Sequence, residues 1–423
     1  MTRLFIKNAN ELLTVRGHSE KPAIKEAMNE LHIIEDGAVW VENDTIVDVG
    51  TTKELEQKYA DQIGEAEVID ASGRVVAPGL VDPHTHLVFA GSRENEYNMR
   101  LQGAKYMDIM EKGGGIHATT RATREASTEQ LYKESYPRLD SFLKHGVTTV
   151  EAKSGYGMDW DVEKRQMEVA KTLDQDHVID IVSTFMGAHV IPQEYKENPD
   201  RFVDIVINEM IPKTAELGLA EFNDVFCERG VYTPEQSKRI LEAGREYDLT
   251  PKIHADEIEP YGGAEIAAEV GAVSADHLLK VSDQGLEMMA DKGVVAVLLP
   301  GTAFFLMTES ADGRKAIDAG VPVALSTDRN PGSSPSTSMP FMLNLASLTM
   351  GMTPAEAIVA ATINAAHAIK RGDRIGSIEA GKQADLVIWD LPNHMQFSYH
   401  YGVNHTDTVI KKGKRVIDKG VLV

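Results

Sequence analysis

The feature that most limits what this chain can fold into is a count of strands. From residue 75 to residue 326, short apolar segments alternate with stretches whose apolar residues recur about every 3.6 positions, which is the grammar of parallel β/α units. Eight strands can be read: Val75 to Val81, Val147 to Ala152, Ile179 to Phe185, Asp224 to Cys227, Pro251 to Ala255, Val273 to His277, Gly293 to Leu299 and Pro322 to Ser326. Helical segments such as Glu163 to Leu173, Pro234 to Tyr247, Gly263 to Val270 and Asp283 to Lys292 separate most of them. Eight parallel strands close a (β/α)8 TIM-like barrel. An open doubly wound sheet competes with this, but no G-x-G-x-x-G follows the first strand, so its phosphate loop is missing. Pro354 to Ile369, with Thr353 as N-cap before a proline, reads as the closing helix.

Strand-like pieces also occupy both chain ends. Leu4 to Ile6, Gly37 to Val41 and Thr45 to Val49 precede the barrel; Asp385 to Trp389, Val409 to Lys411 and Lys414 to Ile417 follow it, the last two joined at Lys412-Gly413. Chain ends often meet in a domain, so one small discontinuous β-sandwich domain made from both termini is expected. The expected boundaries are 1–76 for its N-terminal part, 77–370 for the barrel and 371–423 for its C-terminal part.

Composition excludes several classes of function. With 42% hydrophobic and 26% charged residues the chain is an ordinary globular one, not a fibre or a disordered segment. Its 43 Lys and Arg against 65 Asp and Glu give a net charge of −22, a field that repels nucleic acid and anionic membranes. An anionic ligand therefore requires a local cation. The single cysteine, Cys227, cannot form an internal disulfide and fits a reducing compartment; as a strand residue it reads as a buried packing thiol. The N-terminal segment meets charge too early for a signal peptide, and no window approaches the roughly 20 apolar residues of a membrane span. A soluble cytoplasmic protein is expected.

Barrel enzymes react at the C-terminal ends of their strands. Here those ends carry Asp82-Pro83-His84-Thr85-His86, His189, His254-Ala255-Asp256-Glu257, His277 and Asp328. Residues two apart in an extended segment point the same way, so His84 and His86 can aim at one ion, and His254 and Asp328 can complete the set. Imidazole and carboxylate suit one divalent metal ion, zinc or iron, with a position left open. Such an ion lowers the pKa of water from about 15.7 to about 7, which makes hydrolysis the expected chemistry. Glu257 is placed to take or deliver a proton, His277 to polarise a substrate oxygen or orient water, and Asp328 to accept a proton besides holding the ion. The triple glycine Gly113 to Gly115 is either a closing lid or a merely permissive loop, and Met99, Met107 and Met110 read as packing. His18, His32, His117, His145, His177, His367, His394, His400 and His405 are assigned no catalytic role.

Two segments carry a family resemblance. Pro78-Gly79-Leu80-Val81-Asp82-Pro83-His84-Thr85-His86 resembles the first-strand signature of the metal-dependent amidohydrolase superfamily, and the segment from Gly376 to Val387 is similar to its return into the small β domain. More narrowly, the segments His86 to Arg93, Gly113 to Ile116, Lys153 to Gly157, Gly187 to His189 and Ser326 to Ser333 resemble the branch of that superfamily that opens an imidazolone ring. The resemblance covers nearly the whole chain. It implies hydrolysis of the cyclic amide of 4-imidazolone-5-propanoate to N-formimidoyl-L-glutamate, a step of histidine breakdown. It further implies that Tyr106, Tyr156, His189, Glu257, Asn330, Gly332 and Ser333 join Arg93 in binding substrate, and that the protein is a homodimer. Many binuclear relatives carry a carboxylated lysine after the fourth strand. Phe226-Cys227-Glu228 stands there in this chain, which favours a single metal.

Two other functions compete with this one. A guanine or aminopyrimidine deaminase would share the metal residues but would not need Arg93. A non-catalytic ligand-binding barrel is disfavoured because each expected metal and proton-transfer position holds a competent residue.

Overall fold

The computed structural model describes residues 2–104 and 114–423; Tyr106, Met107, Met110 and Gly113 lie outside the described residues. In chain order its strands are β1 (Arg3–Leu13), β2 (Ile33–Glu42), β3 (Thr45–Thr51), β4 (Glu67–Asp70), β5 (Val75–Pro78), β6 (Leu80–Asp82), β7 (Val147–Lys153), β8 (Asp180–Ala188) and β9 (Phe222–Cys227). They continue as β10 (Thr250–Ala255), β11 (Ser274–His277), β12 (Val295–Leu298), β13 (Val323–Leu325), β14 (Leu386–Trp389), β15 (Thr406–Lys411), β16 (Lys414–Asp418) and β17 (Val421–Leu422). Strands β6 to β13 pair in sequential order, each parallel to the next. The remaining nine form a mixed sheet drawn from both chain ends, in the order β17-β16-β15-β14-β5-β1-β2-β3 with β4 beside β1.

Gly79 corrects the reading of Val75 to Val81 as one barrel strand. β5 runs antiparallel to β14 and parallel to β1 in the mixed sheet, and only β6 enters the barrel beside β7. The run is buried throughout, which conceals the change of sheet. At the switch the backbone passes so close to Thr148 that a Cβ on Gly79 would lie 2.3 Å from its Oγ1.

The barrel's first and last strands are joined largely by side chains. Buried Asp82 accepts from Ser326 Oγ, from the Thr327 amide at 3.2 Å and from Thr327 Oγ1 at 2.6 Å. The His86 amide donates to the Arg329 carbonyl at 2.9 Å. This lacing fixes the ends of β6 and β13, which carry the residues described below.

The other elements follow from local chemistry. The helices Trp160–Asp176, Pro234–Glu246, Gly263–Val270 and Asp283–Lys292 lie where the apolar spacing predicts them. The closing helix is corrected to two, Pro354–Ala360 and Ile363–Ala368. Thr353 caps the first as expected, but Thr362 turns its hydroxyl back to the Ile358 carbonyl at 2.6 Å and breaks the run. In the mixed sheet, Val39, Val41 and Ile46 share one buried cluster with Leu386, Ile388 and Ile410, so the sheet curls over upon itself in the manner of a sandwich. Lys412 and Gly413 both have positive φ, 50° and 71°, as a tight two-residue hairpin requires. Among the described residues no helix is long and apolar enough to cross a membrane.

Candidate active site

His84 and His86 leave β6 in an extended course, and His254 stands in β10 beside them. One nitrogen from each lies within 4.8 Å of the others, and all three side chains are buried. Asp328, three residues past β13, brings its Oδ1 to 3.5 Å from His84 Nε2 and 3.9 Å from His86 Nε2, while its Oδ2 accepts from Thr302 Oγ1 at 2.6 Å. The Nε2 atoms of His84 and His254 are buried with no hydrogen-bond partner. Orphaned buried nitrogens are costly, and convergent ones beside a carboxylate fit a divalent metal ion. Burial first, then neighbouring cationic groups, holds His84, His86 and His277 well below the usual histidine range, so each presents a neutral ring. His254 shifts upward: burial opposes its charge, but Asp224 outweighs that.

An ionic layer beneath the histidines orients them. Asp276 Oδ2 accepts from His84 Nδ1 at 2.6 Å and Asp224 Oδ1 from His254 Nδ1 at 3.0 Å, which turns each Nε2 toward the shared centre. Lys153 Nζ ties these carboxylates together, 2.7 Å from Asp224 Oδ2, 2.7 Å from Glu151 Oε1 and 3.5 Å from Asp276 Oδ2. All four side chains of this layer are wholly buried.

A cavity of about 460 Å³ opens over the histidines. Its lining brings together His86, Arg93, Tyr156, His189, His254, Glu257, His277, Asp328, Asn330 and Ser333 of the expected residues. Glu257 Oε1 lies 3.6 Å from His277 Nδ1. Burial, followed by the Asp328 charge, pushes the Glu257 carboxyl up to about 8. Its loop hangs from Asp256, whose carboxylate accepts from the amides of Tyr261 at 2.7 Å, Gly262 at 2.9 Å and Ala264 at 2.9 Å. Asp256, His277 and Asp328 hold φ of 49°, 79° and 50°, so these strand ends carry backbone strain beside the cavity that His277 and Asp328 line.

His189 stacks on His86 with ring centroids 4.9 Å apart, and its Nδ1 donates to the Gly155 carbonyl at 3.1 Å. Burial lowers His189 to about 3, so the ring is neutral and, with Nδ1 donating, its Nε2 is an acceptor. The loop bearing Tyr156 is pinned by Glu163, which accepts from the amides of Gly155 at 2.8 Å, Gly157 at 2.7 Å and Met158 at 3.0 Å. Arg93 is paired, Nε and Nη2 each 2.9 Å from Glu96 Oε2, yet it also lines the cavity. Gly332 does not line the cavity; a Cβ there would lie 1.9 Å from Arg93 Nη1, so glycine is what lets the guanidinium rest on that turn. The Asn330 side chain is spent on its own loop, donating to the Asp328 carbonyl and accepting from the amides of Gly332 and Ser333, each at 2.8 Å. The described end of the glycine loop is tied down, with the Gly115 amide donating to Glu96 Oε1 at 3.1 Å.

Sequence reasoning missed the layer of Glu151, Asp224 and Asp276 and passed over Lys153. A signal existed: charged residues two apart inside apolar strands, Glu151 and Lys153 above all, have no reason to be there unless they pair inward. Phe226 and Arg229 on the cavity rim were also missed. Cys227 is fully buried, and burial pushes its thiol up to about 12, which keeps it protonated.

The family model described as the amidohydrolase family matches residues 75–416. An imidazolonepropionase from Geobacillus sp. (strain WCH70) is 67% identical over 422 residues, with 100% of each chain covered. Another, from Geobacillus kaustophilus, is 65% identical over 99% of each. Among solved structures, an adenosine deaminase from Xanthomonas campestris with bound zinc shares the fold at TM-score 0.71 and 20% identity, covering 100% of this chain and 94% of its own. The Escherichia coli guanine deaminase does so at TM-score 0.73 and 15% identity, covering 99% and 100%. The chain belongs to the amidohydrolase family and, within it, to the imidazolonepropionases.

Proposed function

We propose that the protein hydrolyses the cyclic amide of 4-imidazolone-5-propanoate to N-formimidoyl-L-glutamate. The observation that carries this reading is a guanidinium, Arg93, on the same cavity wall as the histidine cluster, in a chain of net charge −22. A substrate with a propionate arm and a reactive ring amide needs both ends of that arrangement. His84, His86, His254 and Asp328 would hold one zinc or iron ion, which when bound acts as a Lewis acid toward water and the amide carbonyl.

The chain's own residues supply the rest. Water must lose a proton as its oxygen bonds to the ring carbonyl carbon, and the ring nitrogen must gain one as the carbon–nitrogen bond breaks. Glu257, its carboxyl raised by burial, is the group placed to give the nitrogen its proton. Asp328 is the carboxylate next to the histidines and accepts the proton from water. His277, neutral and partly free, bonds the carbonyl oxygen. Tyr156, His189 and Ser333 flank the ring and its arm, Asn330 and Gly332 shape the turn on which Arg93 rests, and Tyr106 joins them in contacting substrate. The protein is expected to act as a cytoplasmic homodimer with no nucleic acid or membrane partner.

The direct test follows the loss of imidazolone absorbance in metal-loaded protein and assays ammonia from guanine in parallel. Ring opening without ammonia is expected; ammonia release from the neutral heterocycle would move the assignment to a deaminase. A chelator is expected to abolish turnover and zinc or ferrous iron to restore it, and activity that survives metal removal would remove the ion from the reaction. Arg93→Ala is expected to raise KM for the propionate substrate by about one to two orders of magnitude, the worth of a charge-assisted pair. For an imidazolone without the acid arm KM should barely move, and equal effects on both substrates would count against the clamp.

A further inference from the structure

Arg93 also borders a second cavity, of about 530 Å³, whose lining holds no histidine and includes Phe89, Ser92, Glu94, Tyr97, Arg138, Phe305, Arg329, Pro331 and Pro335. Three guanidiniums meet there in a chain that is acidic overall. Arg93 has Glu96 at 2.9 Å, and Arg138 has Glu134 at 3.6 Å. Arg329 is different. Among the described residues no carboxylate lies within ion-pair distance of it, its Nη1 donates only to the Asn330 carbonyl at 3.2 Å, and its Nε is buried with no partner. A largely buried cation without a counter-charge is costly.

We propose that this cavity binds a small organic carboxylate, with Arg329 as its main counter-charge. The walls decide between an organic acid and an inorganic anion. The guanidiniums of Arg138 and Arg329 sit 3.7 Å and 5.4 Å from the Phe89 ring centroid, and Tyr97 stacks on Phe305 with centroids 5.1 Å apart. Pro331 and Pro335 complete a wall that, apart from Ser92 and Glu94, is apolar wherever it is not cationic. Such a site receives a carboxylate at the arginines and a carbon chain against the rings, where phosphate would leave the apolar wall uncovered. The one carboxylate on the lining, Glu94, stands at the rim and accepts from Ser92 Oγ. Because Arg93 borders both cavities, the bound acid shares a residue with the catalytic cavity while standing outside it.

The test titrates glutarate into metal-loaded protein by calorimetry, with inorganic phosphate as the second arm. Glutarate is expected to bind at least about tenfold more tightly than phosphate. Arg329→Met removes the cation, and Tyr97→Glu supplies an internal carboxylate at a position 40% exposed, where folding tolerates a charge. Each is expected to weaken glutarate about tenfold or more, while Glu257→Gln leaves its affinity unchanged. Should Arg329→Met fail to fold, Tyr97→Glu decides alone. No glutarate binding, wild-type affinity in Tyr97→Glu, loss of affinity in Glu257→Gln, or phosphate binding as well as glutarate would each overturn the proposal, and none of these outcomes depends on which ring the enzyme opens.

Discussion

Glu257→Gln is expected to lower kcat by about two to four orders of magnitude, the usual worth of a positioned acid or base, while KM changes by no more than a few-fold. Glutamine keeps the shape and hydrogen-bonding reach of the side chain but cannot exchange a proton. The backbone beneath it is held independently by Asp256, so the substitution leaves the cavity walls in place. The sign of the pH dependence follows from the direction of the shift. A carboxyl raised by burial to about 8 carries its proton at neutral pH and loses it as pH rises. A divalent cation held by the histidines would lower that value, so the wild-type alkaline limb in kcat should fall at 8 or below, and the limb should be absent from the glutamine variant. Stopped assays across pH on both proteins, with equilibrium binding of substrate to the variant, read these outcomes. A variant with wild-type kcat takes the proton transfer away from Glu257.

What could be read from the chain beforehand divides along physical lines. The barrel was legible because each parallel strand, buried on both faces, reads as a short apolar run, and the intervening helices have their own period. The break at Gly79 was not, since burial continues across it and the change of partner is a property of the backbone. At Thr362 the helix is interrupted where the hydroxyl bonds back to the Ile358 carbonyl, a choice that periodicity cannot register. In the site, the spacing of His84 and His86 was readable because extended chain has period two, whereas their approach to His254 and Asp328 depends on the closing of the barrel. The lacing through Asp82 is what sets that closure. Partners contributed by distant strands stayed hidden: Glu96 on Arg93, Asp276 on His84 and Lys153 on Asp224 are contacts that only the folded chain creates.

Lys153→Met tests that hidden layer and carries the second large effect. One ammonium faces three carboxylates, and none of the four groups reaches solvent. Burial opposes the lysine's charge, but Asp224, Glu151 and Asp276 overcome it and hold its pKa well above the ordinary value. Methionine fills a similar volume without charge, so the loss is electrostatic and leaves no cavity. Breaking a buried pair from one side costs about 3–5 kcal/mol, because the remaining charges stay behind uncompensated. Two of them are Asp224 and Asp276, the carboxylates that orient His254 and His84. A divalent cation bound by those histidines would replace part of the missing positive charge. The stability deficit should therefore be largest in metal-free protein and smaller once metal is added, a difference a structural lysine remote from the ion would not produce. The deficit should also narrow as pH falls, since carboxylates stripped of their counter-charge take up protons in the folded state. Denaturant unfolding of wild type and variant, each with and without metal and at two pH values, measures all three. An unchanged unfolding free energy in the metal-free variant would show that the layer does not need its lysine.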